Sequence, residues 1–542
     1  MAKRIPAAVL LFFICSFSTF SQVKRPKLVV GIVVDQMRWD YLYRYQQRYS
    51  ADGFKRMLRE GFSCENTLIP YTPTVTAAGH TCIYTGSVPA IHGIAGNTWY
   101  DRNLKRIMYC SESVSDTVKG VGGEGVNGKM SPANMLVTTV TDELRLATNK
   151  QSKVIGVCIK DRGSIFPAGH TANAAYWYDG RSGNWITSTF YMKELPEWVK
   201  AINAKKPADA YYKKNWNTLY PISTYTNSTE DEKPYEGKMP GAANTSFPHD
   251  LSSYIGKSYD VISSTPYGNT MTLDMAKAAL DAYQLGKGTV TDFLAISLSS
   301  PDYVGHRFGP NSIEAEDTYL RLDLDLADFM KYLDQKVGKG NYTLFLTADH
   351  GVAHVPGFLQ ENRVPAGNWQ NDTLTRAVNN ILKNKYNVDK LVTAETNYQV
   401  YINYDLVKQN NLDRWAVEEE VIQYCMGIKG VANAFRLSGL NTELLPQTVK
   451  DMMNNGYNKK RSGDIQIVLE PGWIDGYSTG TTHGLWNPYD AHIPMVWMGW
   501  GIKQGASNRT MHMTDIAPTV AALLHIQMPS GNIGQVMTEV LK

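Results

Sequence analysis

The chain has 542 residues, and 54 basic side chains against 51 acidic ones give it a formal net charge of +3. This length is enough to bury a large core, and the near balance of charge argues against a polybasic surface for nucleic acid or an anionic membrane. We therefore expect a globular protein in which any strong electrostatic field is local.

The N-terminus has the order of a secretory signal in residues 1–22: two basic residues, the apolar stretch AAVLLFFICSF and the small polar tail STFSQ. Because the apolar core is too short to span a bilayer, we expect cleavage near Ser21 or Gln22 and a periplasmic or secreted protein without a membrane span. Lipidation of Cys15 is an alternative, although the bulky Ile14 precedes it. The remaining five cysteines lack C-x-x-C spacing and allow at most two disulfides.

Five apolar runs rich in β-branched residues predict buried strands, with helical patterns between them. A continuous rather than alternating apolar run suits a strand that is covered on both faces. The pattern predicts an α/β fold with a mostly parallel central sheet flanked by helices. The runs are KLVVGIVV from Lys27, KVIGVCI from Lys153, TDFLAISL from Thr291, YTLFL from Tyr342 and PMVWMGW from Pro494.

Two long regions interrupt this alternation, at about 171–257 and at about 357–477. The first is rich in Tyr, Trp, Asn, Lys and Pro, and the second mixes helical and strand-like pieces. Neither begins with a linker of Gly, Ser or Pro, so we expect both to pack on the sheet as cap-forming insertions. The interpretation is one catalytic domain over residues 23–542, without internal repeats or low-complexity tracts.

Four of the predicted strands are followed by charged side chains or histidines. In an open parallel sheet, ligands gather beyond the carboxyl ends of the strands, so these positions are candidates for a functional site. Asp302 and His306 lie four residues apart, and one helical turn would point both side chains in the same direction. In chain order the candidates are Asp35, Lys160, Arg162, Asp302, His306, Asp349 and His350.

The carboxylates and imidazoles among these candidates indicate a metal centre. Without a thiolate, they suit Zn²⁺, with Mn²⁺, Co²⁺ or Fe²⁺ as alternatives, whereas histidines disfavour Ca²⁺ and Mg²⁺. A single Asp and His pair is better explained as a cap and a buried hydrogen-bonded ring, and the repetition at four strand ends favours metal binding. His483, in the loop STGTTHGLWNPYD, is a further candidate ligand or a surface histidine, and we expect His492 to be structural.

A hydroxyl-rich segment, PYTPTVTAAGHTCIYTG, predicts a helix start whose unpaired amides and dipole favour an anion. Asn97, in the Gly-rich stretch IHGIAGNTWYD, is suited to donating to an oxyanion or to forming a turn. Lys160 and Arg162 are suited to binding phosphate oxygens. The candidate hydroxyls, each of which could instead serve as an N-cap, are those of Thr72, Thr74, Thr76 and Thr81.

Together these stretches resemble the alkaline phosphatase superfamily, and in particular the secreted bacterial phosphate-irrepressible alkaline phosphatases that use a threonine nucleophile. The resemblance covers essentially the whole chain after the signal. Each motif is weak by itself, but the ordered set is highly specific. The motifs are VVDQMRWDY, TPTVTAAGHT, HGIAGNTWYD, KDRG, SSPDYVGHRFGP, TADHG and THG.

The resemblance implies a role for each candidate. Thr76 looks like the nucleophile that becomes phosphorylated. The ligands of the zinc that binds this nucleophile would be Asp35, Asp349 and His350. The ligands of the second zinc, which holds the leaving oxygen and later the attacking water, would be Asp302, His306 and His483. The nonbridging phosphoryl oxygens would be held by Asn97, Lys160 and Arg162.

We therefore expect a secreted alkaline phosphatase that hydrolyses a broad range of phosphate monoesters and releases inorganic phosphate. Two Zn²⁺ ions roughly 4 Å apart would clamp the attacking and leaving oxygens, and coordination would lower the pKa of the threonine hydroxyl. The asparagine and the two cationic side chains would neutralise the outer oxygens of the phosphoryl group. Small phosphate esters, rather than nucleic acid, are the expected partners.

The nearest alternative is a phosphodiesterase or nucleotide pyrophosphatase of the same superfamily, which would share the six ligands and the threonine. The KDRG motif favours a monoesterase, because a diester carries less charge and its second substituent needs space where Lys160 and Arg162 would lie. A sulfatase should carry a C-x-P-x-R signature, which the sequence lacks. A binding protein would not need six metal-type ligands.

Overall fold

The structure is a computed structural model that describes residues 23–123, 125–369 and 373–542. The expected signal segment, residues 1–22, lies outside the described residues. Within the described residues, no helix is long and apolar enough to cross a membrane. The five cysteines in this part of the chain are all buried and unpaired, so none of the disulfides that the count allowed is formed there.

The strands of the described residues include every apolar run that predicted one. The burial of all residues in β1, β9 and β10 agrees with their continuous apolar sequence. In chain order the strands are β1 (Leu28–Val34), β2 (Phe62–Leu68), β3 (Thr98–Asp101), β4 (Arg106–Tyr109), β5 (Gly120–Val121), β6 (Val154–Cys158), β7 (Ala174–Asp179), β8 (Asn184–Ser188), β9 (Asp292–Leu298), β10 (Tyr342–Thr347), β11 (Gly367–Trp369), β12 (Val392–Thr396), β13 (Gln399–Ile402), β14 (Val431–Arg436), β15 (Ile465–Leu469), β16 (Trp473–Asp475), β17 (His492–Ile493), β18 (Met495–Gly499) and β19 (Gly505–His512).

Helices alternate with these strands over the same described ranges. The longest of these helices, α11, begins with a side-chain cap, in which the Ser312 hydroxyl accepts the Ala315 amide at 3.1 Å. In chain order the helices are α1 (Tyr41–Arg44), α2 (Phe54–Glu60), α3 (Thr76–Thr85), α4 (Pro89–His92), α5 (Val140–Ala147), α6 (Asp161–Ala168), α7 (Glu197–Ala204), α8 (Pro207–Tyr212), α9 (Tyr267–Ala282), α10 (Ser300–Phe308), α11 (Ile313–Leu333), α12 (Pro356–Glu361), α13 (Leu374–Tyr386), α14 (Tyr404–Gln409), α15 (Arg414–Met426), α16 (Gln447–Gly456), α17 (Pro488–Ala491) and α18 (Ile516–Leu524).

The central sheet is parallel in its middle, and the strand pairs outside the middle are antiparallel except for β19, which is parallel to β2. Its strand order is β17, β2, β18, β10, β1, β9, β6, β7, β8 and β5, with β19 beside β2. The run β10, β1, β9, β6 and β7 is parallel. The apolar run PMVWMGW forms β18, which is antiparallel to β10. A continuous apolar run indicates that a strand is buried on both faces, but it does not indicate the direction of the strand. The sequence therefore could not show that β18 runs antiparallel to its neighbour.

The two regions that interrupt the alternation differ from each other. Region 171–257 supplies β7 and β8 to the edge of the central sheet and then packs with short helices. Region 357–477 contains a separate four-stranded sheet, in the order β12, β13, β15 and β14. This second sheet has its own apolar core, which includes Leu382, Val417 and Ile465. The role of the two regions as a cap stays a proposal.

Candidate active site

Three carboxylates meet at the carboxyl edge of the parallel strands. Asp35 follows β1 directly, Asp349 lies just beyond β10, and Asp302 lies in the first turn of α10 after β9. Since β1 pairs with both β9 and β10, their ends are neighbours. The three side chains are almost completely buried. The adjacency that the strand-end pattern predicted is therefore present.

One group of metal-type donors consists of Asp302, His306 and His483, whose ligand atoms all lie within 4.8 Å of one another. Asp302 Oδ1 is 3.1 Å from His306 Nε2 and 3.6 Å from His483 Nε2. The four-residue spacing on α10 brings the first two side chains together, as predicted. His483 comes from a loop 177 positions away from His306 in the sequence, the difference between residue numbers 483 and 306.

The second group consists of Asp35, Asp302 and His350, again within 4.8 Å of one another. His350 Nε2 is 3.5 Å from Asp35 Oδ1 and 3.5 Å from Asp349 Oδ2. Asp349 therefore lies beside this group and contacts its histidine. The rings of His350 and His483 stack with centroids 3.5 Å apart, which places the two groups side by side.

The three histidines are all held with Nε2 facing the carboxylates. Each Nδ1 lies within hydrogen-bonding distance of a backbone carbonyl: His306 to Thr481 at 2.8 Å, His350 to Gly351 at 3.0 Å and His483 to Thr74 at 2.7 Å. A carbonyl only accepts, so Nδ1 carries the proton and a neutral ring keeps its lone pair on Nε2. Burial lowers the pKa of His350 to about 3, which keeps that ring neutral. This is the arrangement that metal-binding histidines use.

Two buried carboxylate oxygens at this edge, Asp35 Oδ1 and Asp349 Oδ2, have no hydrogen-bond partner among the described residues. Buried polar atoms are normally paired, so these two are exceptions that require an explanation. Burial raises the pKa of Asp35, and the charges of Asp302 and Asp349 raise it further. Divalent cations would supply both the missing partners and the missing positive charge. The donor set therefore fits bound metal ions.

Thr76 is the first residue of α3 and is buried beside the second group. Its Oγ1 lies 3.5 Å from His350 Nε2. The other three hydroxyls of the segment donate to backbone carbonyls: Thr72 to Gly484, Thr74 to Leu485 and Thr81 to Ala77. Val75, and not a threonine, occupies the N-cap. Of the four candidates, Thr76 is the one whose hydroxyl faces the carboxylates and histidines.

Asn97 contacts the start of the same helix. Its Oδ1 accepts the Ala77 amide at 2.9 Å, so the side-chain amide nitrogen remains available as a donor. The Gly-rich segment before it brings Asn97 alongside Thr76, although the two are 21 positions apart by residue number. The sequence left two interpretations of Asn97, a donor to an oxyanion or a turn residue; the geometry leaves the donor role open as a prediction.

Lys160 lies between carboxylates of both groups. Its Nζ donates to Asp35 Oδ2 at 2.7 Å and to Asp302 Oδ2 at 2.5 Å. Burial alone would lower the pKa of Lys160, but Asp302 and Asp35 outweigh burial and raise it, so the side chain is charged. Lys160 therefore reaches the centre of the site, in contact with predicted metal ligands.

Arg162 occupies the first turn of α6, next to Lys160. Its Nη1 donates to the Tyr109 hydroxyl at 2.9 Å, and Tyr109 in turn donates to Asp161. Ser111 also donates to Asp161, at 2.6 Å. Arg162 Nε has no hydrogen-bond partner among the described residues. A planar guanidinium held along one side and open along another is suited to binding two oxygens at once.

Sequence reasoning missed two residues that contact this site, and the first is Gln36. It has a left-handed backbone with φ of 67°, which is uncommon outside glycine. Its amide N–H donates to Asp349 Oδ1 at 3.1 Å, and its side chain donates to Asp302 Oδ1 at 2.8 Å. Gln36 therefore joins carboxylates from two strand ends. Its position directly after the predicted ligand Asp35 is the feature of the sequence that could have identified it as a residue of this site.

The second missed residue is His80, which is completely buried in α3. Its Nδ1 lies 2.8 Å from the Thr76 carbonyl and 3.3 Å from Asp349 Oδ2. Its Nε2 is 2.8 Å from the Ser297 hydroxyl on β9. The four-residue spacing from Thr76 in TAAGHT was the signal that could have identified it. The predicted structural residue His492 lies 2.9 Å from the Glu65 carbonyl and stacks on Trp39, outside both groups.

The sequence matches the model of a known protein family over most of its length. Residues 29–490 match the Type I phosphodiesterase / nucleotide pyrophosphatase family. The chain belongs to this family. The match covers most of the central sheet and every candidate ligand, and it places the chain in the superfamily that the ordered motifs indicated.

Relatives extend over almost the whole chain. Alkaline phosphatase PhoV of Synechococcus elongatus is 56% identical over 526 residues, which are 97% of this chain and 95% of PhoV. A Myroides odoratus protein named calcium-transporting ATPase is 53% identical over 540 residues, 99% of this chain and 98% of its own length. Alkaline phosphatase PafA of Elizabethkingia meningoseptica is 51% identical over 522 residues, 96% and 95% of the two chains.

The fold is similar to that of a solved alkaline phosphatase structure. The crystal structure of wild-type PafA superposes with a TM-score of 0.94 at 50% identity, and the match covers 96% of this chain and all of the PafA chain. The predicted α/β fold of the alkaline phosphatase type is therefore confirmed.

Proposed function

We propose that this family member is an alkaline phosphatase that hydrolyses a broad range of phosphate monoesters through a phosphorylated Thr76. The observation that carries the proposal is the convergence of buried carboxylates, three histidine Nε2 atoms, one threonine hydroxyl and the Lys160 ammonium on one point of the sheet edge. The names of PhoV and PafA support the same activity.

The proposed cofactors are two Zn²⁺ ions, since carboxylate oxygens with imidazole nitrogens suit zinc. Asp302, His306 and His483 would hold one ion. Asp35, Asp349 and His350 would hold the other, a set supported by the contacts of His350 with both carboxylates. When bound, such ions supply Lewis acidity that lowers the pKa of a coordinated hydroxyl and offsets charge on the reacting oxygens.

Side chains of the protein would supply the nucleophile and bind the phosphoryl oxygens. Thr76 Oγ1 forms the bond to phosphorus while the ester oxygen leaves, and water later breaks the Thr76 phosphoester and releases inorganic phosphate. The Asn97 amide and the Arg162 guanidinium bind the nonbridging oxygens. Lys160 contributes a further positive charge from the centre of the site. Burial of these groups strengthens each interaction, because little water screens it.

A phosphodiesterase remains the runner-up, and the names of the relatives do not favour it. The residues that argue for monoesters are Lys160 and Arg162, which would bring two positive charges to the proposed phosphate site. A dianionic monoester gains more from two cations than a singly charged diester does. Their side chains would also take up space that a second ester substituent needs.

Three further predictions complete the proposal. We propose that residues 1–22 are a cleaved signal segment and that the mature protein is periplasmic or secreted. We propose one catalytic domain over residues 23–542, with regions 171–257 and 357–477 forming a cap. The packing of Asn397 against Gly96, close to Asn97, supports contact between the second region and the site.

The test compares hydrolysis of a phosphate monoester and a diester by one metal-analysed sample, for the unmodified chain and for Lys160→Ala. We expect the monoester to be preferred, zinc to be present at two ions per chain, and Lys160→Ala to lower monoester turnover selectively. Lys153→Ala is a matched control, because Lys153 precedes the same strand, β6, and bonds only the Tyr283 carbonyl through Nζ. Dominant diester turnover, unaffected by Lys160→Ala, would reject the monoesterase.

A further inference from the structure

A cavity of about 610 Å³ lies outside the active site, between the segment 232–238 of the first inserted region and Thr479. Its polar lining includes Glu232, Glu236 and Thr245, together with Lys233 and Lys238. None of these residues belongs to the proposed catalytic machinery.

Two of the lining side chains are deeply buried and have an oxygen without a partner. Glu236 is 3% exposed and Thr245 is 4% exposed. Glu236 Oε2 and Thr245 Oγ1 have no hydrogen-bond partner among the described residues. A third such oxygen belongs to the neighbouring carboxylate Glu314, which is 0% exposed and whose Oε2 is likewise unpaired within the described residues. Buried oxygens are seldom left unpaired in folded proteins.

Among the described residues, the lysines that line the cavity have other partners, and Lys233 offsets this negative charge only in part. Lys233 Nζ pairs with Glu361 at 2.8 Å, and Lys238 Nζ donates to the Ala243 carbonyl at 2.6 Å. His249, which lies 2.9 Å from Glu314 Oε1, is neutral because burial lowers its pKa to about 4. Burial, followed by the charges of Glu314 and Asp231, raises the pKa of Glu236 to about 9. A buried carboxyl of this kind requires either a proton or a bound cation.

We propose that the cavity is a Ca²⁺ site in which the Glu236 carboxylate and the Thr245 hydroxyl are side-chain ligands and Glu314 adds negative charge. Calcium accepts six to eight oxygens in a flexible geometry and takes hydroxyl, carbonyl and water oxygens beside carboxylates. The unpaired donor atoms of this site are oxygens and include no imidazole nitrogen, which distinguishes the site from the imidazole-rich catalytic centre that suits zinc.

The location gives the ion a structural role next to the catalytic centre. Gly237 N–H donates to the Arg307 carbonyl at 2.7 Å, and Gly480 N–H donates to the Tyr235 carbonyl at 2.9 Å. These bonds attach the segment around Glu236 to the end of the helix that carries His306 and to the loop that leads to His483. A cation on Glu236 would therefore stabilise the frame that holds two proposed zinc ligands, without contact with the substrate.

The experiment adds Ca²⁺ to the zinc-loaded mature chain and measures binding by calorimetry and the melting temperature in parallel. We expect one saturable Ca²⁺ per chain and a rise in Tm of about 2–3 °C at saturation. Glu236→Gln removes the charge while keeping the shape, and should abolish both effects. Glu232→Gln is the matched control, since Glu232 lines the same cavity but is exposed, and should keep both.

Absence of saturable Ca²⁺ binding in the unmodified chain, or unchanged binding in Glu236→Gln, would overturn the proposal. Should Glu236→Gln fail to fold, Thr245→Val tests the same site and should weaken Ca²⁺ binding at least about tenfold. Asp302→Ala separates the two centres: it should lose zinc and keep Ca²⁺ binding. Loss of Ca²⁺ binding in Asp302→Ala, with retention in Glu236→Gln, would assign the calcium to the catalytic centre and reject the cavity. This inference is independent of the proposed phosphatase activity.

Discussion

Two buried carboxylates at the catalytic edge of the central sheet have fewer hydrogen-bond partners than the buried carboxylate Glu418 of the second inserted region. In the second region, Glu418 on α15 is 1% exposed. Its Oε1 accepts from Tyr404 at 2.6 Å and from Arg414 at 2.7 Å, and its Oε2 accepts from Arg436 at 2.9 Å. At the catalytic edge, Asp35 and Asp349 are equally buried, and each has an oxygen without a partner among the described residues.

The difference separates a carboxylate that supports folding from the carboxylates to which we assign metal binding. Burying an ion is costly unless its charge and its hydrogen-bonding capacity are both satisfied. Two arginines of the second region satisfy Glu418, so this carboxylate needs no partner from outside that region. Among the described residues, Lys160 is the charged donor that contacts Asp35 and Asp302, and bound cations would complete the neutralisation of the three carboxylates of the catalytic edge.

The largest expected effect comes from Thr76→Ala, which removes the proposed nucleophile from the catalytic edge. We expect turnover of a phosphate monoester to fall at least about 10³-fold, because no other hydroxyl of this helix start faces the site. Metal content and Tm should change little, since the hydroxyl has only a long 3.5 Å contact with His350. Steady-state kinetics, phosphoenzyme trapping and metal analysis check this. Unchanged turnover would remove Thr76 from the mechanism.

Asp302→Ala comes next, because Asp302 belongs to both donor groups. We expect turnover to fall more than about 10²-fold and the metal count per chain to drop, with one position emptied more than the other. Metal analysis of the dialysed variant measures the count. A chelator should inactivate the unmodified chain in the same way. Full metal content in Asp302→Ala would contradict the contrast with Glu418, because metal binding at the catalytic edge would then not depend on this carboxylate.

Gln36→Leu should have an intermediate effect, since it removes the side-chain hydrogen bond to Asp302 without removing a donor atom of either group. Loss of such a supporting contact typically lowers metal affinity or activity about 10–100-fold. Zinc titration and kcat against KM measure the two quantities. Gln36→Gly serves as control because glycine adopts the left-handed backbone without strain. Wild-type zinc affinity in both variants would reject the positioning role.

The smallest effect on activity is expected for Arg436→Ala in the second region. Removing one partner of Glu418 should lower the free energy of unfolding by about 1–3 kcal/mol, because Oε2 of a buried carboxylate loses a charged donor. Turnover should stay within about twofold, since Arg436 contacts no residue of the catalytic edge. Denaturant unfolding and kinetics give the two values. A loss of turnover comparable with that of Gln36→Leu would show that the second region takes part in catalysis.

Local patterns carried most of the prediction of fold and site. The continuous apolar runs predicted β1, β6, β9, β10 and β18, because a strand that is buried on both faces has apolar residues at successive positions. The polar residues that follow four of these runs predicted which side chains meet, since the ends of adjacent parallel strands share one edge. Ordered motifs then identified the superfamily.

Contacts between distant segments could be decided only by the tertiary structure. The direction of β18, the proximity of the Thr76 hydroxyl to His350 and the bridge that Lys160 forms between Asp35 and Asp302 all depend on which elements pack together. The same holds for Gln36, whose two donors reach carboxylates 266 and 313 positions away. Periodicity records how a residue relates to its own strand or helix, whereas a hydrogen bond between strand ends depends on sheet order and register.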